Sequence, residues 1–321
     1  VTEIGNDAFN GCTSLKQLPD MSSVTKINYQ SFKNCTSLES IDLSDTITEI
    51  GMLSFSGCNG LKQVKLPKNL QILTYGAFQN CTSLTEISIP KTVTNEKENL
   101  SIGPFSGCTS LKNVVFEEGM TKVPVGILKD ASAVETVVLP NTVTEIGNDA
   151  FNGCASLKQL PDMSSVTKIN YQSFKNCTSL ESLDLPDTIT VIGVQSFYGC
   201  SGLEQVKLPK NLQILTYGAF QNCASLTEIS IPKTVTNEKE NLSMAPFSGC
   251  ISLKKVVFEE GMTKVSHEIL KDASAVETVV IPDTVTEIEY GAFKGCTSIV
   301  NLTLPKNLKE LGESCFEHCD N

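Results

Sequence analysis

Val137–Cys154, VVLPNTVTEIGNDAFNGC, contains most of one unit of a repeating pattern. Its first residues lead into a proline. An extended Thr-Val-Thr-Glu-Ile segment follows, and an Ala-Phe pair then closes on cysteine. Ile41–Cys58, IDLSDTITEIGMLSFSGC, says nearly the same thing. Cys12, Cys35, Cys58 and Cys81 stand 23 residues apart, and Cys108, Cys154, Cys177, Cys200, Cys223, Cys250, Cys296 and Cys319 continue the series. Ala131 and Ala273 hold the two remaining slots, which makes fourteen units. A fixed short period of this kind is the signature of a solenoid, in which each unit buries its apolar side only against its neighbours.

A longer period lies over the short one. VTEIGNDAFNGC begins at Val1 and again at Val143, and residues 1–142 recur as 143–284 with about 20 differences. Each block carries one coil with four extra residues, in Val93–Phe105 and Val235–Phe247, and each insertion reads Asn-Glu-Lys-Glu-Asn. A tandem duplication of six units accounts for this. The expectation is one solenoid spanning residues 1–321. Val1 enters in mid-repeat and neither end reads as a polar cap, so a segment of a longer protein is expected.

Within a unit, Leu38, Ile41 and Leu43 alternate with polar residues, the mark of a strand with one buried face. Pro67, Pro90, Pro140, Pro186, Pro209, Pro232, Pro282 and Pro305 follow such strands and end them, because proline has no N–H for the ladder. Pro19 and Pro161 come early, and Asp20 and Asp162 stand where an inward leucine is usual, which predicts short or bulged strands. Ile4, Ala8, Phe9 and Cys12 share one helical face, which predicts a single short helical or 3-10 turn on the other side. Gly11, Asn34, Gly57, Asn80, Gly107, Asp130, Gly153, Asn176, Gly199, Asn222, Gly249, Asp272, Gly295 and His318 occupy one slot. Most of these types tolerate positive φ, so the slot reads as a corner. Phenylalanine recurs three residues before most of the cysteines and predicts a continuous apolar spine; Leu128 and Leu270 replace it where Ala replaces cysteine.

The repeat L-x-x-I-x-L-P-x-x-V-T-x-I-G-x-x-A-F-x-x-C resembles the BspA-type leucine-rich repeat across essentially the whole chain. The resemblance implies a right-handed solenoid with a parallel β-sheet on one face, and a secreted or cell-surface protein. It also implies a non-enzymatic adhesion or host-binding role, with a host or extracellular matrix protein as one such partner. It brings no catalytic residues and no cofactor.

Composition narrows the function further. The chain has 40% hydrophobic and 19% charged residues, no Trp and no Arg, and a net charge of −11. That balance argues against nucleic-acid binding, which needs clustered cations. No apolar run reaches the ~18 residues of a membrane span. P-loop, nucleophile-elbow, zincin and EF-hand patterns are missing from the sequence. The thirteen cysteines read as a stack of small buried hydrophobes with unbridged thiols, because ladder side chains point the same way side by side. Cys315, His318 and Cys319 form a local S/N cluster, but zinc would need a fourth ligand and a defined geometry. Asn99-Leu100-Ser101 and Asn241-Leu242-Ser243 are acceptor sequons with meaning only in a eukaryotic secretory pathway.

The outward strand slot holds Pro19, Asp42, Lys65, Ser88, Val115, Val138, Pro161, Asp184, Lys207, Ser230, Val257, Val280 and Thr303. Most are polar, as a solvated sheet face requires. Val115 beside Val138, and Val257 beside Val280, break that rule. They predict two small exposed apolar patches, flanked by Lys112 and Glu135 and by Lys254 and Glu277. One reading is that valine simply suits strands. The other is a twice-repeated contact site for an extended polypeptide. A passive spacer holding another domain away from the cell is the alternative function.

Overall fold

A computed structural model describes residues 1–95, 101–237 and 244–319. The chain forms two compact units, Val1–Met163 and Ser164–Asn321. Each is a parallel β-solenoid, and no helix occurs among the described residues.

In the first unit a ladder of longer strands forms the sheet face. Ser40–Asp42 pairs in parallel with Gln63–Lys65, while Glu86–Ile89 pairs with Asn113–Phe116, which pairs in turn with Thr136–Val138. Burial alternates along Glu86–Ile89 and Asn113–Phe116, with Ile87, Ile89, Val114 and Phe116 inward. The second unit repeats this with Ser182–Asp184 on Gln205–Lys207, and Glu228–Ile231, Lys255–Phe258, Thr278–Val280 and Asn301–Leu302 side by side. Leu18–Asp20 and Leu160–Asp162 form no strand. There the chain shifts by one residue, and buried Met21 and Met163 fill the inward place that Asp20 and Asp162 cannot.

The Thr-Val-Thr-Glu-Ile segments form a second ladder of two-residue strands. Glu3–Ile4, Lys26–Ile27, Glu49–Ile50 and Ile72–Leu73 stack in the first unit. Lys168–Ile169, Val191–Ile192 and Ile214–Leu215 do so in the second. Both ladders stop at the insertions. The Leu73 N–H then donates to Asn95 Oδ1 at 3.0 Å, and the Leu215 N–H to Asn237 Oδ1 at 2.8 Å, so a buried carboxamide takes the place of the next strand. The remaining residues of the two Asn-Glu-Lys-Glu-Asn insertions, and the asparagines of both sequons, lie outside the described residues.

The helical or 3-10 turn expected on the third side is not formed. The segment before each cysteine is a series of turns. In the first coil the Asp7, Phe9 and Gly11 N–H groups donate to the Tyr29, Ser31 and Lys33 carbonyls of the next coil, at 3.0, 2.7 and 2.8 Å. The intervening Ala8, Asn10 and Cys12 N–H groups donate three residues back. A helix needs negative φ throughout, yet Asp7 and Gly11 lie at φ 53° and 75°. The chain gives up helical bonds to join coil to coil, which satisfies the backbone equally well. All fourteen residues of the corner slot adopt positive φ, from Gly11 to His318 at 61°.

The core runs as stacked columns. Phe32, Phe55 and Phe78 are fully buried, with ring centroids 5.2 and 5.1 Å apart and planes within 6° of parallel. Phe174, Phe197 and Phe220 repeat this at 5.3 and 5.2 Å. Where Leu128 and Leu270 interrupt the spine, Phe116 and Phe258 come inward from the sheet and meet Phe151 and Phe293 edge-on, each at 6.4 Å. Offset-stacked and edge-to-face pairs are both favoured arrangements of the ring quadrupole.

Candidate functional site

No disulfide joins any of the thirteen cysteines. Their column has a role that composition does not show. Cys58 Sγ donates to the Phe32 carbonyl at 3.1 Å, and Cys81, Cys108, Cys200, Cys223 and Cys250 each do the same to the phenylalanine of the preceding coil. Burial raises these thiols: Cys35 to about 11, Cys58 and Cys200 to about 12. They are weak donors held away from the thiolate form, a poor basis for nucleophilic chemistry. Cys315 and Cys319 donate to different carbonyls, of Glu289 and Phe293, while the His318 imidazole lies beside Glu317 at 3.5 Å and is mostly exposed. Among the described residues no group of three or more His, Cys, Asp or Glu is placed to hold a metal ion. No helix among them is long and apolar enough to cross a membrane.

The sheet face is where the candidate residues meet. Val115 and Val138 are direct partners across the parallel ladder. They are 43% and 50% exposed, although the valines beside them in sequence, Val114 and Val137, are buried. Lys112 Nζ lies 2.8 Å from Glu135 Oε1, bridging the same two coils three residues upstream. This ammonium holds the Glu135 carboxyl below the usual range. In the second unit Val257 and Val280 are likewise partners, and Lys254 Nζ lies 2.6 Å from Glu277 Oε1. The copies are not identical. Val280 is 44% exposed, but Val257 is half-buried, and the longer Lys255 stands where the first unit has Asn113.

Val115 also closes one end of a shallow groove of about 620 Å³. Its floor carries Ser40, Gln63, Glu86 and Asn113 in one column and Asp42, Lys65, Ser88 and Val115 in the other. Lys65 and Asp42 pair across neighbouring coils at 2.9 Å. The second unit has a corresponding hollow of about 510 Å³ around Asp184, Glu204, Lys207 and Glu228. Val280 lines a separate depression with Val300, Asn301 and Thr303. The residue-by-residue slot reading missed this groove. Its signal lies in the polar column two residues before each outward slot, Ser40, Gln63, Glu86 and Asn113.

Comparison with known proteins follows the same lines. The family model described as BspA type leucine rich repeat region (6 copies) matches residues 1–101, 93–168, 123–244 and 239–321. Among solved structures, a leucine-rich repeat protein from Bacteroides ovatus ATCC 8483 is 28% identical with a TM-score of 0.75, over 98% of this chain and 80% of that one. The pneumococcal vaccine antigen PcpA is 20% identical with a TM-score of 0.53, over 98% of this chain and 77% of that one, a likeness of fold alone. No curated protein matches the chain. With the repeat, the parallel ladders and a profile match along its length in agreement, this chain belongs to the BspA-type leucine-rich repeat family.

Proposed function

We propose that the chain is a non-enzymatic protein-binding module of a secreted or cell-surface protein, and that the sheet face of each unit takes an extended polypeptide. The observation that carries this reading is the paired, exposed Val115 and Val138 beside the Lys112–Glu135 ion pair. An apolar centre with a charged rim is the anatomy of a protein contact surface. A polypeptide lying across the coils would set apolar side chains on the valines and polar ones along the groove floor. Two such sites on one chain raise the effective concentration for a partner with repeated segments.

The test is Val115→Asp with Val257→Asp, used as bait against the extracellular proteins of the native environment. Loss of partners by a variant with unchanged circular dichroism supports the reading. A folded variant that keeps every partner of the parent removes it. The passive spacer predicts no specific partner for either protein.

A further inference from the structure

The turn side of each unit carries a second surface. Tyr29, Met52 and Tyr75 occupy one slot in three consecutive coils of the first unit, and Tyr171, Val194 and Tyr217 occupy it in the second. Their alignment is fixed by the backbone. The Gln30 N–H donates to the Met52 carbonyl and the Leu53 N–H to the Tyr75 carbonyl, both at 3.0 Å. In the second unit Gln172 and Gln195 donate to Val194 and Tyr217 at 2.9 Å. Tyr29, Met52, Tyr171 and Tyr217 are 41, 43, 45 and 37% exposed, and Tyr75 and Val194 are half-buried. Four of the chain's six tyrosines are spent here.

The strip is uncharged in a chain of net charge −11. Asn28, Gly51 and Thr74 precede its residues and Gln30, Leu53 and Gly76 follow them; Asn170, Gly193, Thr216, Gln172, Gln195 and Gly218 do so in the second unit. Gln30 Nε2 donates to the Tyr29 hydroxyl at 2.8 Å, which sets one amide beside a ring, and in the second unit Gln172 Nε2 donates to Gln195 Oε1 at 2.7 Å, which joins the amides of the residues after Tyr171 and Val194. Elsewhere the slot is not built this way: half-buried Ile102 and buried Met244 end the strip in the next coil, Asn6, Val125, Asn148, His267 and Glu313 hold the other positions, and exposed Tyr290 stands between the last two.

We propose that this strip, once in each unit, is a platform for a neutral β-linked polysaccharide. Three properties point to that ligand. The faces of sugar rings are C–H surfaces that lie against aromatic rings, while their hydroxyls bond to the amides that flank them. The strip's own residues are uncharged, the charges bordering it in the first unit are Glu3, which accepts from Asn28, and the mutually paired Lys26 and Glu49, and the acidic chain repels an anionic polymer. The spacing is also periodic. In each unit the two tyrosines stand two coils apart, and those steps measure 5.2 and 5.1 Å on the adjoining phenylalanines of the first unit. An extended β-1,4 chain turns the same sugar face to one side at every second residue, with a disaccharide repeat of comparable length.

Isothermal titration calorimetry with cellohexaose and xylohexaose tests this, with hexagalacturonate as the anionic comparison. The parent should bind a neutral hexasaccharide saturably. Tyr29→Ala with Tyr171→Ala should weaken it at least tenfold, and Tyr29→Phe with Tyr171→Phe less than fivefold, because the ring face remains. The phenylalanine pair keeps the comparison meaningful if the alanine pair fails to fold: a loss as large as tenfold in it overturns the platform. The sheet-face variant Val115→Asp with Val257→Asp should bind sugar as the parent does, so failure of the polypeptide reading leaves this one standing. No heat with either neutral sugar at millimolar concentration, tighter binding of hexagalacturonate, or a folded alanine pair that binds like the parent would each overturn the proposal.

Discussion

A Cβ placed on Gly199 would stand 2.5 Å from Oδ1 of Asn176, one coil earlier. The same relation joins Asp272 to Gly295 at 2.6 Å and Asp130 to Gly153 at 2.9 Å. Both members of each pair have positive φ. From Gly11 to Gly295 the corner slot therefore alternates between an asparagine or aspartate, whose short polar side chain tolerates φ > 0, and a glycine that leaves room for that side chain. A two-coil period is folded inside the 23-residue one.

Gly199→Ala should accordingly destabilise by about 1–3 kcal/mol, since a Cβ at positive φ is strained before any clash is counted. Adding Asn176→Gly removes the clash but not the strain. Urea midpoints of the two single variants and the double should show partial rescue; strict additivity would mean that the two side chains do not share this space.

The phenylalanine spine makes a graded prediction. Phe197 is fully buried and stacked on both sides, at 5.3 and 5.2 Å. Phe197→Ala should cost about 3–5 kcal/mol. Phe316 is half-buried and stacks on Phe293 at 5.1 Å, so Phe316→Ala should cost clearly less. Equal losses in chemical denaturation would contradict a core built from successive stacked layers.

Thiol burial predicts the alkaline limb of stability. Cys58 and Cys200 titrate near 12 in the folded chain, against about 9 when unfolded. Below pH 9 both states hold the proton and the contribution is intact. As pH rises through 9 towards 12 the unfolded chain loses protons that the folded chain keeps, so stability falls. The melting temperature should decline steadily above pH 9. Cys58→Ala with Cys200→Ala should lower it at pH 7 and make the alkaline decline shallower. In denaturant without reductant, a colorimetric assay should count thirteen thiols. Fewer would show bridges.

Much of this architecture was legible in the sequence. The period announced a solenoid, the Leu-x-x-Ile-x-Leu alternation placed the sheet, and the corner slot of glycine, asparagine, aspartate and one histidine pointed to the positive φ found at all fourteen positions. The early Pro19 and Pro161 foretold weak strands, and none forms there. The turn side was misread because Ile4, Ala8, Phe9 and Cys12 satisfy helical spacing equally well. Side-chain periodicity cannot tell an intrachain bond from a coil-to-coil one, and the positive φ of Asp7 decided between them. Of the face residues, the valine pairs could be placed from alternation alone, whereas the Lys112–Glu135 and Lys254–Glu277 ion pairs beside them come from the structure. The groove, the unequal exposure of Val257 and Val280, and the tyrosine strip needed neighbouring coils to be seen together.

The repeat also predicts autonomy. Residues 143–321 contain the whole of the second unit, Ser164–Asn321. In repeat arrays stability comes from nearest-neighbour interfaces. Expressed alone, this fragment should give a β-rich circular dichroism spectrum and a cooperative melt. A random-coil spectrum would count against local stabilisation.

The proposed recognition of extended polypeptide by the sheet face rests on exposed Val115 and Val138 and on their counterparts in the second unit. A phage-displayed library of linear peptides can be selected on the parent protein and the binding of the selected peptides then compared on the Val115→Asp with Val257→Asp variant. Selected peptides should bind the parent and lose at least tenfold in affinity on the folded variant. Peptides that bind both proteins equally would contradict it.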